Sequence, residues 1–482
     1  MADTNGAATT ERTVFGHPIG LTYLFSTEMA ERFSYYGMAA IFMYYLTEQL
    51  LLPGHVEHVI GYSLIKSAFE SVLGPLSPTQ MAADLFGLYT GLVYLTPFFG
   101  GLIADRYWGQ RYTVILGGVL MAAGQFALTQ DSLFFIGLLL MIIGNGFFKP
   151  NISTQVGNLY KAGDSRIDRA YSIFYVGINI GAMLAPLVCG TLGEEVGWHW
   201  GFFAAGVGLT LGVLLYLFVL RALPPDRVAR LKAEKQTEPP KKLTSQDWKA
   251  ILSIVVLCLP VSFFWMAYQQ QSITIALWAR DFTSRTFIPG VADFQIPYTW
   301  SQSINPFMIF AFTPLVIWLW ARQARKRREP STVLKMAYGC FFLAISYVLM
   351  AGVAVLAGPH GQASWAWLVP FFAIYTVGEL YLSPIGLALV ARLAPPQVLS
   401  MMMGFWFITN FVGYTLAGVL GSLWTTMDKS HFFLLTAAIP AAAGAVIWLF
   451  DRPTRPIIEQ RTKLPLTPGP DLATEKVSSG HP

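Results

Sequence analysis

Residues Thr27–Gly37 read T-E-M-A-E-R-F-S-Y-Y-G and put Glu28, Glu31 and Arg32 inside a run, Gly20 to Leu46, that is otherwise apolar. A helix of about 20 residues crosses a hydrocarbon core, and this run is long enough. Glu28, Glu31, Arg32 and Tyr35 are spaced i, i+3, i+4, i+7, so all four share one helical face. Each charge would cost roughly 2.5–3.5 kcal/mol at the centre of a lipid-facing helix. The face must therefore look into a wet cavity or onto partners.

The rest of the chain makes a membrane setting unavoidable. Of 482 residues, 54% are hydrophobic and only 12% charged, where soluble domains carry about 25% charged residues. Apolar runs predict spans at 20–48, 80–104, 110–129, 133–154, 168–190, 200–220, 248–277, 300–321, 332–357, 365–393, 398–424 and 432–450. An even number of spans puts both termini on one side. If that side is cytoplasmic, its segments hold 26 of the 32 Lys and Arg, as the positive-inside rule requires. The expected product is an all-α integral protein of the plasma membrane, a bacterial inner membrane, with both termini inside. The first twenty residues lack a basic segment followed by an apolar one, so no cleaved signal peptide is expected.

The basic linker 221–247 divides the chain into two six-helix halves, 20–220 and 248–450. They are flanked by an N-terminal tail, 1–19, and a polar C-terminal tail, 451–482, expected to be disordered. The linker's charges suit a membrane surface rather than nucleic acid. Two six-span halves predict a repeat-built transporter with its site between them. A faint echo agrees: Thr96-Pro97 in span 2 and Thr313-Pro314 in span 8 each precede a basic turn.

Five ionisable residues fall well inside spans: Glu28, Glu31, Arg32, Lys149 and Glu379. Two carboxylates around one Arg32 leave a surplus negative charge, for which a proton is the natural neutralising partner. A purely structural ion pair is the competing reading, and buried pairs stabilise a fold poorly. Lys149 (GNGFFKPN) and Glu379 (YTVGELYLSPIG) lie in opposite halves. If they face each other, they could form a gate or hold the two ends of a zwitterion.

Enzymatic chemistry lacks a motif. Neither Gly-x-Ser-x-Gly nor a Walker A sequence is present. His55 and His58 share a helical face without a third ligand, and Cys189, Cys258 and Cys340 lie apart in apolar segments. No metal or cofactor is expected beyond protons as the coupling ion.

Three motifs carry a family resemblance. They are E-x-x-E-R-F-x-Y-Y at Glu28–Tyr36, G-G-L-I-A-D-R-Y-W-G-Q-R at Gly100–Arg111, and F-Y-V-G-I-N-I-G-A at Phe174–Ala182. The chain closely resembles the proton-dependent oligopeptide transporters, the peptide branch of the major facilitator superfamily, from Phe15 to about Phe450. The resemblance implies twelve helices in two six-helix bundles and proton-driven import of di- and tripeptides by alternating access, the protein working as a monomer. It also implies proton coupling by Glu28, Glu31 and Arg32 with Lys149 linked to them, and Glu379 on the peptide amine. Tyr35, Tyr36, Asn179, Trp265, Asn305, Ser383 and Trp406 would line the site together with Lys149. Asp105, Arg106 and Arg111 would serve the cytoplasmic gate and topology.

Many bacterial members carry additional helices between spans 6 and 7, for which the 27-residue linker is too short. Two positions depart from the family pattern. Ala39 stands where an arginine helps to bind the substrate carboxylate, and Gln269-Gln270 replaces the common Glu-Gln. Losing a guanidinium removes a bidentate partner that Lys149 replaces only as a point charge. Another zwitterion or anion (an amino acid, a modified peptide, nitrate) is therefore an alternative cargo, and a non-transporting receptor a remote one.

Overall fold

Hydrophobic length sets the architecture, and polar residues set where each helix begins. The computed structural model describes residues 13–160, 164, 166–220, 223, 243–286, 295–358 and 361–462. Among them are twelve long helices. The first six are α1 (Ile19–Tyr45), α2 (Pro78–Ile103), α3 (Gln110–Ala127), α4 (Phe134–Asn158), α5 (Ile167–Ala185) and α6 (Trp198–Val219). The second six are α7 (Ser245–Tyr268), α8 (Ile304–Arg325), α9 (Thr332–Ala357), α10 (Leu368–Leu393), α11 (Leu399–Ser422) and α12 (Lys429–Thr462). Ten are long and apolar enough to cross a membrane. The other two are α1, interrupted by Glu28, Glu31 and Arg32, and α3, with Gln110, Arg111 and Gln125 in only 18 residues.

The two halves repeat one packing plan. In the first, α1 packs on α5 and α6, α4 on α2 and α3, and α3 on α6. Adding six to each number gives the second: α7 on α11 and α12, α10 on α8 and α9, and α9 on α12. The contacts between halves, α2 with α11 and α5 with α8, obey the same rule. Pro97 and Pro314 lie inside the corresponding α2 and α8. Small residues let membrane helices approach closely, and they do so here at matching places. A Cβ at Gly117 would come 2.6 Å from the Gly144 carbonyl oxygen, and one at Gly339 would come 2.8 Å from that of Gly378. The seam between α2 and α11 is equally close. A Cβ at Gly87 would lie 2.6 Å from the Gly418 nitrogen and 2.7 Å from the Tyr414 oxygen.

The bundle has two unlike ends. At the terminal end, where α1 begins, residues 13–18 fold over the start of α5. There His17 Nδ1 lies 2.7 Å from the Tyr160 hydroxyl, and Arg166 donates to the Gly16 carbonyl at 2.9 Å and pairs with Asp164 at 2.7 Å. The opposite, distal end is latched between halves. Arg285 pairs with Glu194 at 2.6 Å and Arg280 with Glu48 at 3.0 Å. The Tyr44 hydroxyl donates to the Ala276 carbonyl at 2.9 Å, and Trp300 Nε1 to Thr191 Oγ1 at 2.8 Å.

Three details differ from the sequence expectation. Residues Tyr62–Leu73, between the first two spans, form an amphipathic helix with no buried residue. The seventh span breaks at Gln269–Gln271 and resumes as Thr274–Asp281. Most notably, 451–462 is not disordered but continues α12, despite Pro453 and Pro456. Asp451 holds it, accepting from Ser331 and pairing with Arg455 at 2.6 Å, and Ile458 packs into the core. Residues 463–482 lie outside the described residues, as do 221–222 and 224–242 of the linker. Helix α7 begins at Ser245, slightly ahead of the expected boundary, because Thr244 and Asp247 form a reciprocal capping box.

Candidate functional site

The face predicted on α1 exists and is sealed. Glu28, Glu31 and Arg32 are 2%, 1% and 3% exposed, so their charges can be met only by one another and by adjoining helices. Arg32 grips Glu31 with two parallel bonds, Nε to Oε2 and Nη2 to Oε1, the latter 2.6 Å. Its Nε also lies 3.4 Å from Glu28 Oε1. The guanidinium stands 5.1 Å from the centre of the Tyr35 ring, which is buried and packs edge-on against half-buried Tyr36. One guanidinium thus serves two carboxylates unequally: Glu31 is held by both oxygens, while Glu28 Oε2 has no hydrogen-bond partner.

Two residues that the sequence reading missed complete this face. Asn145 of α4 donates to Glu31 Oε1 at 3.3 Å. Tyr94 of α2 receives Lys149, whose Nζ sits 4.3 Å from the ring centre. Lys149 lies one turn beyond Asn145 but forms no ion pair with Glu28 or Glu31. Beside this cation–π contact, Lys149 reaches Glu28 only as a positive charge acting through space.

The second half supplies Glu379 on α10. Its Oε2 accepts from Asn305 Nδ2 at 2.9 Å, and the same amide reaches Thr376 Oγ1 at 3.0 Å. Lys149 and Glu379 do not form an ion pair. Between them runs an aromatic wall. Tyr94 packs edge-on against Tyr414 at 5.0 Å, Tyr414 against Trp265 at 5.9 Å, and Trp265 against Tyr268 at 5.2 Å. Tyr268 stacks on Tyr375 of α10 at 4.8 Å. The wall crosses from one half to the other and leaves the opposite charges at its two ends.

The remaining predicted residues fall into three places. Trp406 is buried against Gly386, and Ser383 lies half-buried one turn beyond Glu379. Asn179 is buried but spends its amide on the Tyr175 carbonyl of its own helix. Asp105 and Arg106 are exposed in the turn after α2, while Arg111 bonds the Leu223 carbonyl just past α6. Ala39 is buried on α1, and Gln270 donates to the Ala417 carbonyl at 2.8 Å, joining α7 to α11. His55 pairs with Asp131 at 2.6 Å, and no metal-binding group of His, Cys, Asp and Glu exists among the described residues.

Two pseudo-equivalent six-helix bundles with charged residues buried between them define a membrane transporter of the major facilitator type. The chain belongs to the POT family, whose sequence profile (PTR2) matches residues 111–223 and 226–443. It is 32% identical to a di-/tripeptide transporter of Lactococcus lactis subsp. cremoris, over 92% of this chain and 97% of that one. A crystal structure of a mutant of the peptide transporter POT in complex with alafosfalin superposes with a TM-score of 0.78 at 29% identity, covering 94% of this chain and 98% of that one. A POT family transporter in complex with 5-aminolevulinic acid gives 0.78 at 26%, covering 92% and 98%.

Proposed function

We propose that this chain is a proton-coupled symporter that imports di- and tripeptides by alternating access. The observation that carries this reading is the unequal sharing of Arg32. Two sealed carboxylates face one guanidinium, and the free oxygen of Glu28 has no other donor. A proton is the smallest partner that neutralises the surplus. The peptide binds with its carboxylate towards Lys149 and its amine towards Glu379, along the aromatic wall. Relatives named as di-/tripeptide transporters favour this cargo over another zwitterion or an anion.

The distal end faces outward, because the basic residues gather at the terminal end. Both termini are then cytoplasmic, in a bacterial inner membrane, and the latched distal end shuts the site off from the outside. No cofactor is needed beyond the coupling proton, and one chain, embedded in lipid, forms a complete site. Coupling requires only that the carboxylates favour different protonation in the two states, a linkage that is reciprocal.

Uptake into proteoliposomes, with a panel of peptides and amino acids and an imposed pH gradient, tests cargo and coupling together. Glu31→Gln should abolish acid-driven accumulation while retaining peptide exchange. Undiminished accumulation in that variant would refute the coupling role.

A further inference from the structure

A fourth carboxylate lies inside the bundle, outside the site just described. Asp84 sits on α2 two turns from its start and is 3% exposed. Neither of its oxygens has a hydrogen-bond partner, and among the described residues no Lys, Arg or His lies within ion-pair distance. Asp84 is packed into the close seam between halves: a Cβ at Gly418 of α11 would meet the Asp84 Cα at 2.8 Å and the Ala83 oxygen at the same distance.

The elements packed against α2 offer little relief. Towards the distal end α11 contributes Tyr414, Ala417 and Gly418, and residues 423–425 contribute Trp424. Segment 46–50 brings Glu48, already committed to Arg280 and Tyr298. On the other sides α1 brings Phe42, and α4 brings no charge nearer than Lys149, which is engaged by Tyr94. Tyr89, on α2 itself, is buried with an unpartnered hydroxyl. An ionised carboxylate without donors in such a place is prohibitively costly, and the group neutralises instead.

We propose that Asp84 is a second proton-binding site, and that it acts as a lock on the distal end. When the halves part at that end, water reaches the seam and solvates the carboxylate. Closing the seam strips that water, so closure requires Asp84 to take one proton from the distal solution, its oxygen gaining an O–H bond. With the seam shut the proton has no route to the terminal side. It returns to the distal solution on reopening and adds nothing to the number of protons transported. This role rests on the symporter reading and is separate from the Glu28–Glu31–Arg32 cluster.

Two measurements on Asp84→Asn, a near-isosteric mimic of the neutral acid, decide it. Infrared spectra of the reconstituted protein should contain the carbonyl band of protonated carboxylic acids, and the variant should lose one component of it. An unchanged band overturns the site. In proteoliposomes with internal pH held constant, wild-type peptide exchange should slow as external pH rises, and the variant should lose that dependence. An identical external-pH profile overturns the lock. A wild type with no proton-driven uptake would overturn the symporter reading instead, leaving the infrared result to decide Asp84 on its own.

Discussion

The two halves share a packing plan but not a chemistry. In the first, α1 and α4 bury two carboxylates and a guanidinium and hold a half-buried ammonium. In the second, α7 and α10 offer one carboxylate, Glu379, held by the Asn305 amide among aromatic rings. The scaffold has been repeated without its charges. A symmetric frame therefore supplies the movement, and an asymmetric set of side chains decides what moves and what drives it.

Removing charge from the first half should have the largest effect. Arg32→Ala leaves Glu28 and Glu31 buried without a counter-charge, a loss expected to cost about 3–5 kcal/mol. It should lower the unfolding temperature in detergent and abolish accumulation. Equal thermal stability would mean that the cluster is already neutral without Arg32, and the contrast between halves would collapse.

A smaller effect is expected from the second half. Glu379→Gln should raise KM for free peptides by about tenfold, or ~1.4 kcal/mol, and leave the unfolding temperature nearly unchanged. Peptides with an acetylated amine should not notice the substitution. If they lose affinity equally, Glu379 does not read the amine.

The smallest effect lies at the terminal end. Arg166 donates to Asp164 and holds its carboxyl down to about 2, below an ordinary value of about 3.9. A depressed acid contributes stability that is present above the ordinary value and lost as pH falls through the lowered one. Nothing of this pair titrates between about pH 5 and pH 8. Asp164→Asn should therefore leave the pH profile of uptake unchanged over that range, which would exclude this pair as a source of pH sensitivity.

The frame was legible because apolar length and basic turns report directly on spans, and α1 to α11 lie close to where they were expected, save that the seventh span breaks at Gln269–Gln271. The error at α12 has a long-range cause. The tail after Phe450 reads as polar and disordered, but a contact that holds 451–462 comes from Ser331, more than a hundred residues away. The charged site residues stood out against apolar sequence for the same reason that they are costly. Asn145, Tyr94, Tyr268 and Tyr414 did not, since neutral polar and aromatic residues are ordinary in such helices and only the fold brings them to Glu31, Lys149 and Trp265. Asp84 escaped notice because, near the end of a span, a carboxylate reads as an interfacial group. The cation–π seat of Lys149 had no sequence signal at all.

The approach of α2 to α11 at Gly87 and Gly418 has a mechanical consequence. Side chains that interdigitate must unmesh before two bodies can turn on each other, whereas backbone resting on backbone can swivel with little to disengage. This contact can therefore part beside Asp84 and come together again with little to unmesh, and a single added methyl group at Gly87, 2.6 Å from the opposing nitrogen, would be grit in it.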